Sequence, residues 1–504
     1  MTNSIHSVIP KDASVLFQNN AAFCIGTGRM GLALQKAYHD QLQMVQKEMK
    51  FSHIRGHGLF SDDMAIYQSY KEDGIEKVEY NFTYLDMVID DYLSLEIRPF
   101  IELGFMPHKL ASGDQTVFYW KGNITPPSDY SKWADLIKAT ISHFIERYGR
   151  EEVIAWPFEV WNEPNLTSFW KDSDMPEYFK LYDISSRAVK EVDSRIRVGG
   201  PAICGVDDER WLKEFLTHCA TKELPLDFVT RHAYATEAPD HSGHYAYQEL
   251  RPAHVFLDEL KVSRGIIDSF PQYVGMEMHL TEFNTSYTPL CPIHDTNLNA
   301  AYIARLLSEM GDTCASYSYW TFGDIFEEQG VAFTPFSGGF GLVANGLIPK
   351  PTYWAFSFFN QLGDCGIARD ENYILTKAAD GTLRGVAWNP VVNSAAEDSI
   401  ELKLDLNIED GDYLLVTKLI DEQLCNPLKA WLDMGSPANP SKEQVELVRT
   451  CAVPQTKTSR EKVNGGRMNL YFNLSRNALL YFEVSRITPK LDRGYQPERI
   501  PGAL

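Results

Sequence analysis

A chain of 504 residues, 44% of them hydrophobic, can bury a large core and has room for one barrel-sized domain and a second of ordinary size. Asp+Glu 68 against Lys+Arg 47 gives a formal charge of -21 that no basic cluster offsets, so nucleic acid and acidic membranes are set aside as partners. There is no apolar run of roughly 18 residues to span a bilayer, and the first thirty residues hold no stretch of signal-peptide length, so the expectation is a soluble, cytoplasmic protein.

From Phe23 to about Phe322, short β-rich apolar runs alternate with helices of 3.6 periodicity. The runs are FCIGTG from Phe23, HIRGHG from His53, RPFIELGF from Arg98, FEVWNE from Phe158, IRVGGPAI from Ile196, FVTRHAY from Phe228, MHLTEFN from Met278 and ASYSYWTF from Ala315. Eight such units close a parallel barrel, so the fold class is α/β, a (β/α)8 TIM barrel. A helix is predicted from Trp133, with apolar residues at three- and four-residue steps and Gly149 at its stop. After about Gln361 the texture changes to alternating strands, and Asp380-Gly381 marks a hairpin, which predicts an accessory β-sandwich. Between Asn426 and Pro454 a proline-rich stretch leads into SKEQVELVRT, where Ser441 and Gln444 have capping-box spacing and announce a small helical insertion. The expected division is a barrel over 15–345 and a sandwich over 346–504, joined by 1–14, with the insertion at 426–454. No low-complexity linker separates them, so they should pack together.

Polar residues that end barrel strands are where chemistry collects. The fourth run leads to Glu163 in WNEP, where Pro164 biases the glutamate away from helical backbone toward an extended one. The seventh closes on Glu282 in HLTEFN. Such residues also cap helices or pair with arginines, but two carboxyls facing each other across a barrel mouth suit glycosidic cleavage. One then protonates the departing oxygen while the other attacks or stabilises the anomeric carbon. Asn162 beside the acid suits a hydrogen bond to a sugar hydroxyl. Arg55, His57, His232, Tyr234 and Trp320 offer further contacts near strand ends, each equally readable as a satisfied core residue. Glu327 and Glu328 read as a solvated acidic turn or as carboxylates gripping hydroxyls. The eight cysteines are scattered without a C-x-x-C pair, and Gly56 and Gly58 break the spacing of His53 and His57, so neither a disulfide framework nor a metal or other cofactor is expected.

Taken in order, RGHGLF, IELGFMP, PFEVWNEPN, VGGPAICG, RHAY, TEFNTSY, SYWTFGDIFEEQG and GGFGL closely resemble bacterial β-xylosidases of glycoside hydrolase family 39, and the likeness runs on through IPKPTYWAF, LIDEQLCNP and PSKEQV. The resemblance implies exo cleavage of terminal β-D-xylose from xylo-oligosaccharides by retaining double displacement. Glu163 would be the acid/base and Glu282 the nucleophile, with the carboxyls about 5 to 5.5 Å apart. It also implies a sugar subsite formed by His57, Asn162, His232, Tyr234, Tyr287, Trp320, Glu327 and Glu328, with Arg55 and Phe118 as weaker carry-overs, and a homo-oligomer, commonly a tetramer. The sequence departs from the family at Gly323, where serine is usual, with altered loop flexibility as the expected consequence, and in its tail after Arg486. Two alternatives stay open: another glycosidase of the clan, acting on arabinosides, glucosides or the uronic-acid sugars of the iduronidase branch, or a noncatalytic sugar-binding barrel.

Overall fold

The computed structural model describes residues 3–240, 243–392, 399–488, 494–496 and 499–501, so most of the tail after Arg486 lies outside the described residues. After an N-terminal strand β1 (Asn3–Ile9), the eight apolar runs form β2 (Cys24–Arg29), β3 (His53–His57), β4 (Arg98–Leu103), β5 (Phe158–Val160), β6 (Val198–Cys204), β7 (Phe228–Tyr234), β8 (Met278–Asn284) and β9 (Ser316–Tyr319). Each pairs in parallel with the next, and Tyr319 of β9 meets Ile25 of β2 to close the barrel. These strands are buried almost throughout, which is why they read as continuous apolar runs and not as alternating ones.

The helix expected from Trp133 begins three residues earlier, at Tyr130, because the Asp129 side chain accepts hydrogen bonds from the Ser131 and Lys132 amides and sets its start. Its buried face is Trp133, Leu136, Ile137, Thr140, Ile141 and Phe144, and Gly149 with φ 88 ends it.

Beyond the barrel lie β10 (Cys365–Asp370), β11 (Tyr373–Lys377), β12 (Leu383–Trp388), β13 (Ile400–Asn407), β14 (Gly411–Ile420), β15 (Gln455–Val463), β16 (Arg467–Leu474) and β17 (Leu479–Arg486). They make a six-stranded sheet, β10-β11-β12-β17-β14-β15, facing a three-stranded one, β1-β13-β16. Leu402, Leu404, Leu470, Leu375 and Phe482 fill the space between the sheets, and β1 runs parallel to β13 from Asn3 opposite Ile400 to Ile9 opposite Leu406. Asp380-Gly381 turns β11 into β12, with Gly381 at φ 88. Between β14 and β15 stand two short helices, Pro427–Asp433 and Lys442–Thr450, and the second is opened by the reciprocal Ser441–Gln444 capping box.

This helical pair bears on the barrel mouth. Trp431, Val448 and Ala452 pack with Phe336, Ala344 and Ile348, the chain that follows the acidic loop, and Trp354 Nε1 donates to the Ala452 carbonyl at 2.7 Å. Beneath the loop, buried Lys350 Nζ lies 2.7 Å from Asp295 Oδ1, 2.6 Å from Asp324 Oδ2 and 2.8 Å from the Gly339 carbonyl. Burial lifts the Asp324 carboxyl to about 6 against the opposing pull of Lys350.

Gly323, expected to alter the flexibility of this loop, also leaves space for a neighbouring side chain. Gln41 is 2% exposed, and its side-chain oxygen occupies the space where a Cβ at 323 would sit. The absent side chain thus makes room for a packed glutamine whose oxygen also accepts from the Ile325 amide at 3.4 Å. G323A should destabilise the protein by about 1–3 kcal/mol through overpacking, and by clearly less when Q41A is already present; a double-mutant cycle on thermal unfolding measures the difference.

Candidate active site

The barrel interior is polar at its C-terminal end. Arg55 is wholly buried on β3 and is met by three carboxylates: Glu159 Oε2 at 2.7 Å, Glu102 Oε2 at 3.0 Å, and Glu282 Oε1 in a short contact with Nη1. Its Nη2 also donates to Asn162 Oδ1 at 2.9 Å. His57, two residues on and therefore on the same face, holds Glu102 through Nδ1 at 2.6 Å and turns Nε2 toward Glu282 at 3.4 Å. His53, four residues from His57, sits at the far end of the strand, stacked on Phe23 with ring centroids 4.7 Å apart, so the two histidines do not converge.

Glu282 lies inside β8, two residues before its end. The register with β7 shifts from Arg231 opposite Leu280 to His232 opposite Glu282, leaving Thr281 as the extra residue of a bulge. Two consecutive side chains consequently face inward: Thr281 donates to Glu159 Oε1 at 2.7 Å while Glu282 reaches Arg55. Tyr234 donates to Glu282 Oε2 at 2.7 Å, and His232 Nδ1 lies 2.8 Å from Glu163 Oε1.

Glu163 is three residues past the end of β5 and is not extended, contrary to the bias read from Pro164. Its φ is 43, and that of Trp161 is 70. The Glu163 amide donates to the Ala202 carbonyl at 2.9 Å and the Leu166 amide returns to the Glu163 carbonyl at 3.0 Å, so the chain turns here. Pro164 disfavours the right-handed helical alternative, and the turn uses the left-handed region that active-site residues often occupy at a cost.

One carboxylate oxygen of Glu163, one of Glu282 and a ring nitrogen of His232 lie within 4.8 Å of one another. Such a group resembles a metal cradle, but the Arg55 guanidinium against Glu282 opposes a cation there. The two carboxyls thus face each other at close range across the barrel mouth, as a pair acting on one glycosidic bond must. The surroundings also separate the pair electrostatically. Burial, and then the charge of Glu282, push the Glu163 carboxyl well above the usual carboxylate range. Burial raises Glu282 too, but Arg55, His57 and the Tyr234 hydrogen bond pull it back, so Glu282 is the first of the two to ionise. Burial and the nearby Arg55 hold His232 far below its ordinary value, neutral.

These groups open into a cavity of about 670 Å³ that His57, Glu163, His232, Tyr234, Glu282, Tyr287, Trp320 and Glu328 line. The Trp320 ring stands 4.7 Å from His57 and is sunk at 1% exposure, whereas Tyr287 is 47% exposed and sits edge-on to Tyr234 at the rim. The Asn162 amide nitrogen is buried without a hydrogen-bond partner. Glu328 approaches His57 Nε2 at 3.9 Å, and burial with the Glu282 and Glu163 charges raises its carboxyl well above the usual range. Its neighbour Glu327 turns away, to Arg29 Nη2 at 2.6 Å, so the two acidic residues do not act on one pocket together. Phe118 lies behind His57 with ring centroids 5.8 Å apart, Arg55 lies under the floor, and Asn162 is bound to Arg55; none of the three lines the cavity.

The model of glycosyl hydrolases family 39 matches residues 7–469. The chain belongs to that family. Over 482 residues it is 50% identical to a β-xylosidase of Geobacillus stearothermophilus, covering 95% of each chain. It is 36% identical over 473 residues to a β-xylosidase of Caldicellulosiruptor saccharolyticus, covering 90% of this chain and 92% of that one. The crystal structure of a monomeric β-xylosidase from Caulobacter crescentus CB15 superposes with a TM-score of 0.87 at 31% identity, over 96% of this chain and 100% of that one. Membership makes this chain a retaining glycoside hydrolase.

Sequence reasoning passed over the groups that hold this family 39 site in place: Glu102, Glu159 and Thr281. The signal was present, because a glutamate inside a fully buried apolar strand is costly unless a cation meets it, and RPFIELGF and FEVWNE each contain one. R55M should lower the unfolding free energy by about 3–5 kcal/mol at neutral pH, since it strands buried carboxylates. Stranded carboxylates have folded pKa values above their unfolded ones, so the penalty is absent below the unfolded value, grows as pH rises through the window between the two and is full only above the folded value. Denaturant unfolding followed by tryptophan fluorescence at pH 7 and pH 5 checks both the size and the sign.

Proposed function

We propose that this chain is an exo-acting β-xylosidase that removes terminal non-reducing β-D-xylose from xylo-oligosaccharides, with Glu282 as nucleophile and Glu163 as acid/base within the barrel 15–345. The observation that carries the chemistry is the close Glu163–Glu282 pair in opposed surroundings; the choice of xylose rests on the 50% identity with the Geobacillus stearothermophilus β-xylosidase. Glu282, ionised against Arg55 and Tyr234, attacks the anomeric carbon. Glu163, still protonated, gives its proton to the departing oxygen as the bond to the anomeric carbon breaks. Once Glu282 is esterified its charge is gone, the Glu163 pKa falls, and Glu163 takes a proton from the water that attacks the anomeric carbon as the bond to Glu282 breaks and the carboxylate is released.

Around the sugar, the role read for Asn162 is to donate to the 2-hydroxyl, where hydrogen bonds strengthen in the transition state; its buried, unpartnered amide nitrogen supports that reading. His57 Nε2 and Glu328 take further hydroxyls, Trp320 supplies an apolar wall and Tyr287 the rim, while His232 and Tyr234 hold the two carboxyls. Glu327 serves through Arg29, as a fastener of the loop. A uronic-acid substrate is disfavoured because the cation that sequence offered for its carboxylate, Arg55, is already occupied by three glutamates. Eight free thiols support a reducing, cytoplasmic setting. Among the described residues no helix is long and apolar enough to cross a membrane. A homotetramer is part of the same reading, although the Caulobacter crescentus relative is monomeric.

Wild type should release β-xylose from an aryl β-D-xyloside, and E282A should lose on the order of 10³-fold or more in kcat, with azide restoring turnover as the α-xylosyl azide seen by NMR. Cleavage of a different sugar, with xylosides ignored, would sink the substrate assignment and leave the mechanism. The pH dependence follows from the same two groups. The plot of kcat/KM against pH should be a bell whose acidic limb is Glu282 taking up a proton and whose alkaline limb is Glu163 losing one. E163A should flatten the alkaline limb; an unchanged limb would remove Glu163 as the acid.

A further inference from the structure

Two residues after Glu163, Asn165 is 5% exposed, and its side chain makes three hydrogen bonds to the end of β6. Its Oδ1 accepts from the Cys204 amide at 3.1 Å, and its Nδ2 donates to the Cys204 carbonyl at 2.9 Å and the Val206 carbonyl at 2.7 Å. The segment it grips is part of the cavity wall: Cys204, Gly205 and Val206 line the cavity, as do Glu163, Leu166 and Phe169. Cys204 stands opposite His232 in the β6–β7 register, and His232 is the residue that holds Glu163 Oε1. The Glu163 backbone is tied to the same strand through Ala202. Loop, wall and histidine therefore form one hydrogen-bonded unit, and an asparagine side chain joins the Glu163-bearing turn to the cavity wall beside it.

We propose that Asn165 is a positioning residue for proton transfer: it fixes the Glu163 turn to the Cys204–Val206 wall so that the Glu163 proton is aimed at the oxygen of a leaving group bound against that wall. The inference rests on the reading of Glu163 as general acid. The three bonds end on Cys204 and Val206, which line the cavity, and none on the barrel strand that carries Glu282. The consequence is selective. Cleavage of a bond to a sugar hydroxyl, a poor leaving group, depends on the proton; cleavage of a bond to dinitrophenolate, a good one, does not.

The test is kcat/KM, which reports the first, bond-breaking step, for N165A and wild type on xylobiose and on 2,4-dinitrophenyl β-D-xyloside. N165A should lose roughly 10- to 100-fold on xylobiose, as a misplaced acid would, and less than about threefold on the dinitrophenyl substrate, with E163Q showing the same selectivity more steeply. A merely structural residue lowers both by the same factor, through the fraction of folded enzyme, and an equal loss on both, or no loss on either, overturns the proposal. Should N165A fail to fold, N165S, which keeps a hydroxyl donor toward the two carbonyls, is read on the same pair of substrates with the same criteria. A wild type that cleaves neither xyloside overturns the β-xylosidase reading and this inference with it, which separates the two failures.

Discussion

A guanidinium with no access to water, wedged among Glu102, Glu159 and Glu282, is the interaction on which the rest of the site depends. Each of those carboxylates would be expensive to bury alone, and so would Arg55. Together they form a set whose geometry is dictated by the barrel: Arg55 comes from the second barrel strand, Glu102 and Glu159 from the third and fourth, and Glu282 from the seventh. The planar fork of arginine meets several carboxylates in fixed directions, which a lysine ammonium does not. The cluster therefore works as a template that places a carboxylate at the barrel mouth and opposes the rise that burial imposes on it.

From that template follows the division of labour between the two central glutamates. Glu282 touches the cation directly and accepts from Tyr234; Glu163 meets a neutral histidine and the Cys204 thiol and feels the negative charge of Glu282. Nothing intrinsic distinguishes the two side chains, and burial raises both. The difference lies in Arg55, His57 and the Tyr234 hydroxyl, which pull the Glu282 carboxyl down, whereas the charge of Glu282 pushes Glu163 further up. The same logic explains the bulge at Thr281. A regular strand would alternate its side chains, so Glu159 could be held from β8, or Arg55 met from β8, but not both by adjacent residues.

The barrel was legible in the sequence because parallel strands buried on both faces must be continuously apolar, and all eight runs became strands in the expected order. The hairpin at Asp380-Gly381 and the Ser441–Gln444 cap were legible because each motif carries its own local geometry. What escaped were features set by contacts between distant segments. The left-handed turn at Glu163 is made by the carbonyl of Ala202, thirty-nine residues on, and local proline chemistry alone pointed to an extended backbone. Gly323 read only as a change in loop flexibility, without Gln41 in the space it leaves. The adjacent Glu327 and Glu328 read as a pair, but one faces the cavity and the other faces Arg29, a partner no spacing rule identifies.

That split ties the site to the remainder of the chain. A loop bearing a buried carboxyl with a raised pKa, such as Glu328, needs an external restraint, since its own charge favours leaving the pocket for water. Three restraints converge on it. Arg29 at the end of β2 holds Glu327, Lys350 with Asp295 and Asp324 holds the backbone beneath, and Trp431 and Val448 of the helical insertion press on the returning segment at Phe336 and Ile348. The insertion lies between strands of the accessory sheet, so the sandwich reaches the active site through packing and without contributing a residue to the cavity lining. This accounts physically for a family match that runs continuously from residue 7 to 469: the barrel can assemble the carboxylates, but the acidic loop is kept in place by a part of the chain that lies well beyond the last barrel strand.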